Sequence, residues 1–188
     1  MKEGGSLLHF ANEPISGRAA TRRGMTANCR IRRVLDMAPK IGDLIEIEVP
    51  SGWAYALFTH SSKMYGALLR VFPGIHQNRP EEVSALVHQE PLFSCFFPLS
   101  AAVKQGQVAV AGKVPVPDEL AVFPVFRAGM VNPATNKVDN WWLWDGENET
   151  RVGHLTPEQR KLNIRGVWND TLLIERIAKQ WRPEQDTP

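Results

Sequence analysis

From Ile41 onward the chain alternates between apolar and polar positions. Leu44, Glu46 and Glu48 fall on one side of an extended segment, with Ile45, Ile47 and Val49 on the other. A repeat of two is the signature of a β-strand. Pro50-Ser-Gly52 reads as a turn, and Trp53-Ala-Tyr-Ala-Leu-Phe-Thr as a second strand that closes a hairpin. His60-Ser-Ser-Lys predicts another turn, followed by a third strand over residues 64–72 that Pro73-Gly74 ends. Three short strands joined by tight turns predict a meander, the start of a strongly bent sheet or small barrel.

The middle of the chain mixes its periods. Arg79-Pro-Glu-Glu predicts a helical turn with Pro80 at its first position, and Phe93-Ser-Cys-Phe-Phe a buried strand. A two-turn helix is expected from Ser100, as cap, to Gly106, as stop, and a short strand follows from Val108. Phe123-Pro-Val-Phe-Arg reads as an edge strand, since proline cannot donate to a central ladder.

The C-terminal third carries clearer punctuation. Residues 140–144 and 150–154 read as a hairpin around the loop Asp145-Gly-Glu-Asn-Glu. Thr156-Pro-Glu-Gln has the form of a capping box at the start of a short helix. Asn169 should cap a second helix to about Trp181, with Leu173, Ile174, Ile177 and Trp181 as one apolar stripe and Pro183 as its stop. In Asn140-Trp-Trp-Leu-Trp, Trp142 and Trp144 point one way while Trp141 and Leu143 point the other. Two apolar faces suit a strand sandwiched between the core and the C-terminal helix, so these tryptophans read as core and not as a recognition surface.

Residues 1–36 show no sustained period and read as a disordered basic extension, which places the native start at Met37 or Met25 and a single domain over 37–188. Charge is uneven in the same sense. Residues 1–40 hold eight Lys/Arg against three acids, and residues 41–188 hold fourteen against seventeen. A mildly acidic body argues against a nucleic-acid-binding domain, although the basic arm with stacking tryptophans could reach nucleic acid. Two cysteines, Cys29 and Cys95, fit neither a disulfide framework nor a metal-ligand spacing, so a reducing cytoplasm is the natural compartment. Cys95, within Leu-Phe-Ser-Cys-Phe-Phe, reads as a small buried hydrophobe. No stretch has the length of a membrane-spanning helix.

Motifs of known catalytic mechanics are missing: there is no Gly-x-Ser-x-Gly elbow, phosphate-binding loop or His-Glu-x-x-His. The five histidines share no metal-ligand spacing. His60 and His154 fall at predicted strand ends, where exposed turn histidines are common. Glu46 and Glu48 could act as an acid/base pair, or simply form the solvated face of an amphipathic strand. The carboxylates Asp139, Asp145, Glu147 and Glu149 surround the tryptophan-rich strand, and together they could meet a basic protein partner through charge complementarity.

The segment Lys40-Ile-Gly-Asp-Leu-Ile-Glu-Ile, the turn at Gly52, Trp53-Ala-Tyr-Ala and then Tyr65-Gly-Ala-Leu-Leu-Arg-Val-Phe resembles the opening of the immunity protein 26 family. The resemblance spans roughly Lys40 to Pro73. It implies a cytoplasmic bacterial α+β protein that binds and neutralises a toxin of a polymorphic toxin system, without enzymatic activity or cofactor, and it supplies no catalytic residues to carry over.

The expectation is therefore an α+β fold, mainly antiparallel, with a strongly bent sheet or small barrel, short helices and a C-terminal amphipathic helix. Its function is either immunity-type binding of a protein partner or a small-ligand site at a barrel mouth. The ligand reading would draw on Tyr55, His60, Arg70, Trp142 and His154.

Overall fold

A computed structural model describes residues 38–186. The expected extension over 1–36, with His9 and Cys29, lies outside the described residues. The fold is α+β with mostly antiparallel strands and a few short helices, arranged as two sheets that do not close into a barrel.

In the first sheet, β1 (Asp43–Val49), β2 (Gly52–Ser62) and β3 (Gly66–Val71) form the expected three-strand meander, and β4 (Phe93–Phe97), expected only as a buried strand, extends it. β5 (Val108–Lys113) returns to the free side of β1, which gives the order β4-β3-β2-β1-β5. The two-residue connection Pro50-Ser51 sets the first register, with Val49 opposite Gly52 and Glu46 opposite Tyr55. Gly52 has a φ of 140°, and a Cβ there would collide with the carbonyl of His76, whose backbone pairs with Trp53. β2 does not stop at the turn expected from His60. It continues to Ser62 with a bulge between Phe58 and His60.

Two short helices connect strands, α1 (Leu99–Lys104) and α2 (Asp118–Ala121), and a third, α3 (Asp170–Ala178), follows the last strand. Asn169 caps α3 as expected, its side-chain oxygen accepting from the Leu172 N–H at 2.8 Å. The helix ends earlier than expected, before Gln180, whose φ is 49°, and Pro183 opens a separate 3₁₀ turn. α1 begins one residue before Ser100, after Pro98, so Ser100 is not its cap. The turn expected at Arg79-Pro80 forms instead as a 3₁₀ segment over Val83–His88. The Thr156–Gln159 box is reciprocal, at 2.9 and 3.2 Å, but it opens only a 3₁₀ turn, Gln159–Lys161.

β6 (Phe126–Asn132), β7 (Lys137–Trp144), β8 (Glu149–Gly153) and β9 (Asn163–Ile164) form the second sheet in the order β8-β7-β6-β9, with β9 parallel to β6. Pro124 stays outside the ladder, so β6 starts at Phe126 and lies between β7 and β9 rather than at an edge.

The core is divided by face. Ile45, Ile47, Phe58, Leu69, Phe93 and Cys95 lie with Leu173, Ile177, Trp168 and Trp181 in one cluster under α1 and α3. On the opposite face Leu44, Tyr55, Leu57 and Phe72 pack with Leu86 and Val87 of the 3₁₀ segment. Leu68, Phe96 and Phe126 join the two sheets. The C-terminal helix thus covers the first sheet and not the tryptophan strand, which corrects the expected sandwich. Its apolar stripe is matched to the isoleucines of β1, leaving β7 without that cover. Trp141 is buried beside Arg127, and Trp144 packs among Phe96, Phe123 and Phe126, while Trp142 is 38 % exposed. Among the described residues, no helix is long and apolar enough to cross a membrane.

Candidate functional site

Three polar clusters stand out, and the sequence-predicted residues are divided among them. The β7–β8 turn comes first. Asp145 Oδ1 accepts from the N–H groups of Glu147 (2.9 Å) and Asn148 (2.7 Å), which holds its carboxyl below the usual range. Gly146, with a φ of 107°, packs so closely on Phe123 that a Cβ would lie 2.9 Å from the ring. The turn is thereby pressed over a cleft of about 520 Å³ floored by Phe123 and Trp144 and rimmed by Ser61, Ser62, Asp145 and Glu147. Glu149 reaches Arg165 at 2.7 Å. Asp139 lies towards the other end of β7, accepting from Asn132 at 3.0 Å. Of the four expected partner-binding acids, the structure therefore brings Asp145 and Glu147 to one cleft, neighbours them with an ion-paired Glu149, and separates Asp139.

The second cluster is built on β2 and β3. Arg70 is 5 % exposed and donates to Thr59 Oγ1 (3.3 Å), Ser94 Oγ (3.1 Å) and the carbonyls of Leu120 (3.2 Å) and Val122 (2.6 Å). His60, expected at an exposed turn, is half-buried in β2, with Nε2 2.9 Å from the Ala121 carbonyl and Nδ1 3.0 Å from Thr59 Oγ1. A carbonyl only accepts, so Nε2 carries the proton and the neutral ring's Nδ1 accepts from the Thr59 hydroxyl. Burial, seconded by the Arg70 charge, lowers the His60 pKa against the pull of the Ala121 carbonyl. Burial also lowers Arg70 to about 10, which leaves it charged at neutral pH. Three successive carbonyls at the end of α2 are held by these two side chains. Their role is to fasten α2 and the chain after it to the first sheet.

The third cluster was not foreseen. Glu46, read as part of a solvated face, is 7 % exposed, whereas Glu48 is exposed, so the two are not a matched acid/base pair. The Tyr55 hydroxyl donates to Glu46 Oε2 at 3.0 Å, and Arg79 Nε donates to both carboxylate oxygens at 3.1 and 2.9 Å. The Arg79 guanidinium lies 4.2 Å over the Trp53 ring. Burial, then the Glu46 carboxylate, pushes the Tyr55 phenol up to about 12. Beside this triad is a cavity of about 300 Å³ walled by Pro80, Val83, Ala109 and Ala111. β5 lines it with Ala109, Val110 and Ala111.

The five residues of the ligand reading do not share one mouth. Tyr55 belongs with Glu46, His60 and Arg70 meet through Thr59, and Trp142 and the exposed His154 are on or beside the second sheet. Cys95 is fully buried and burial raises its thiol pKa, as a small core residue requires. Among the described residues, no three His, Cys, Asp or Glu side chains come together as a metal site. Compared with protein-family models, with curated proteins and with solved structures, the chain matches none.

Proposed function

We propose that the chain is an immunity-type interaction protein of the bacterial cytoplasm that binds and neutralises a toxin through the cleft under the β7–β8 turn. One observation carries the reading: the acids Asp145 and Glu147 stand on the rim of an aromatic cleft, beside Val122, which is 67 % exposed. A basic segment of a partner meets opposite charge at the rim and an apolar floor beneath it, the arrangement that favours fast and selective association. The two buried arginines are engaged inside the fold. Arg70 and Arg127 are used up in holding carbonyls, so neither is left to act on a substrate. A ligand site at a barrel mouth has less support, because the two sheets stay open and its five residues lie apart.

The test is coexpression with the toxin encoded beside the gene. Growth should be restored, and Glu147→Lys should abolish the rescue while leaving the melting temperature unchanged. Failure of the wild-type chain to bind or protect against that toxin overturns the proposal.

A further inference from the structure

The Glu46 cluster is a different place from the β7–β8 cleft and shares no lining residue with it. Its parts differ in how firmly they are held. The Glu46 side chain is 8 % exposed, fixed in mid-sheet between Tyr55 of β2 and Ala109 of β5. Arg79, its partner, is 55 % exposed and sits on a connection without regular secondary structure between β3 and the 3₁₀ segment. The carboxylate is the permanent part and the arginine the detachable one.

The contact itself is incomplete. Arginine binds a carboxylate best through two parallel N–H···O bonds from a planar fork. Here one N–H, on Nε, is shared between both oxygens. Among the described residues no other hydrogen bond uses the Arg79 guanidinium. The cavity beside it has two carboxylates on its lining, Glu46 and Glu81, against the one guanidinium of Arg79. Apart from Tyr55 its remaining walls are apolar, and the Trp53 ring, just outside that lining, carries the Arg79 guanidinium on its face, a place a second planar cation can take only when Arg79 leaves it.

We infer that Glu46, Tyr55 and Trp53 form a guanidinium-binding site that Arg79 fills in the free protein and that an arginine group from outside can take over. An incoming guanidinium from the cavity side makes the full fork with Glu46, with the Tyr55 hydroxyl held on Oε2. Arg79, already half exposed, then swings to solvent and yields its Nε contact and the Trp53 face to the incoming group. No bond is made or broken beyond hydrogen bonds. The source of the arginine is either a free guanidino compound or the side chain of a protein partner.

The probe is N-acetylarginine amide, titrated by calorimetry and by NMR into the full chain and into Arg79→Ala. A ligand that competes with an internal group binds more weakly by the fraction of time the site is open. Removing Arg79 should therefore tighten binding, by about tenfold if the site is open about one tenth of the time. N-acetyllysine amide, a point charge without the fork, should bind Arg79→Ala several-fold more weakly. Glu46→Gln in the Arg79→Ala background should remove binding. Tyr55→Phe, which deletes only the phenol oxygen, should weaken it if Glu46→Gln does not fold. Saturable binding of an arginine-containing peptide but not of the free probe assigns the source to a protein partner. Absence of saturable binding of both to Arg79→Ala, or binding undiminished in both the Glu46 and Tyr55 variants, overturns the inference. The experiment involves no toxin, so its outcome is independent of the rescue assay.

Discussion

In the first sheet every residue of β4 is buried, as are five of the six in β3. In the second, β8 has none buried and β6 only its first two. Both sheets are rich in large apolar side chains, so composition does not separate them. Cover does. The first sheet has α1 and α3 on one face and the 3₁₀ segment with α2 on the other. The second meets the rest of the protein near Phe126 and Trp144, and beyond that point Met130 is 88 % exposed. A tryptophan is core or surface according to what packs over it. Trp168 and Trp142 are the sharpest pair: the first is wedged between Phe93 and Trp181, while the second stands open on β7.

The strongest way to break this contrast is to truncate both. Trp168→Ala should cost roughly 3–5 kcal/mol in urea denaturation, as large-to-small changes in a close-packed core do. Trp142→Ala should cost no more than about 1 kcal/mol. Equal losses would mean that the second sheet is as well covered as the first.

The next test uses charge in place of aromatic bulk. Arg70→Met leaves two buried hydroxyls and two carbonyls without their donor, and should cost about 2–4 kcal/mol. Arg151→Met removes an exposed residue bonded to Asn140 and should fall within about 0.5 kcal/mol. Smaller again is the cap of α3, which attaches the cover of the first sheet. Asn169→Ala should lose about 1 kcal/mol, and Asn169→Asp should restore most of it.

The smallest effect is titration of the network that fastens α2. The folded state holds His60 neutral, with its pKa chiefly lowered by burial, so the unfolded chain binds the proton more readily. Stability from this group is complete above the ordinary histidine value of about 6.5 and is lost as pH falls through the lower folded value. Wild type should therefore lose stability faster than His60→Gln as pH is lowered from about 6.5. Parallel curves would remove His60 from the network.

The legibility of the fold in the sequence follows the same division. The meander, β4, the β7–β8 hairpin and the Asn169 cap rest on local patterns, and all of them form. Even the Glu46–Tyr55 bond was implicit, because a two-residue loop after Val49 places those residues opposite each other. The Arg79 contact was not, since Arg79 lies 33 residues from Glu46 on an irregular connection with no period to read. The β6–β7 hairpin was also missed. Its turn, Pro133-Ala-Thr-Asn, carries a usable signal: Asn136 has a φ of 55°, a conformation that asparagine tolerates better than most residues. Which sheet α3 would cover depends on long-range packing, and the apolar stripe alone fits either candidate.

One short segment determines when this protein can be complete. Residues 163–168 hydrogen-bond to both sheets: β9 pairs with β6, Asn163 accepts from the Ser94 N–H, and the Trp168 N–H donates to the Phe96 carbonyl. Until that segment leaves the ribosome, the outer edge of β4 is an unpaired strand and the isoleucine face of β1 lacks α3. Such an edge is a template for pairing with other chains. The nascent chain therefore passes through an interval in which its first sheet exists without closure, and any pause in translation before residue 163 prolongs that interval. A chain stopped at Leu162 should accumulate as aggregate, whereas one carried to Asp186 should be recovered folded.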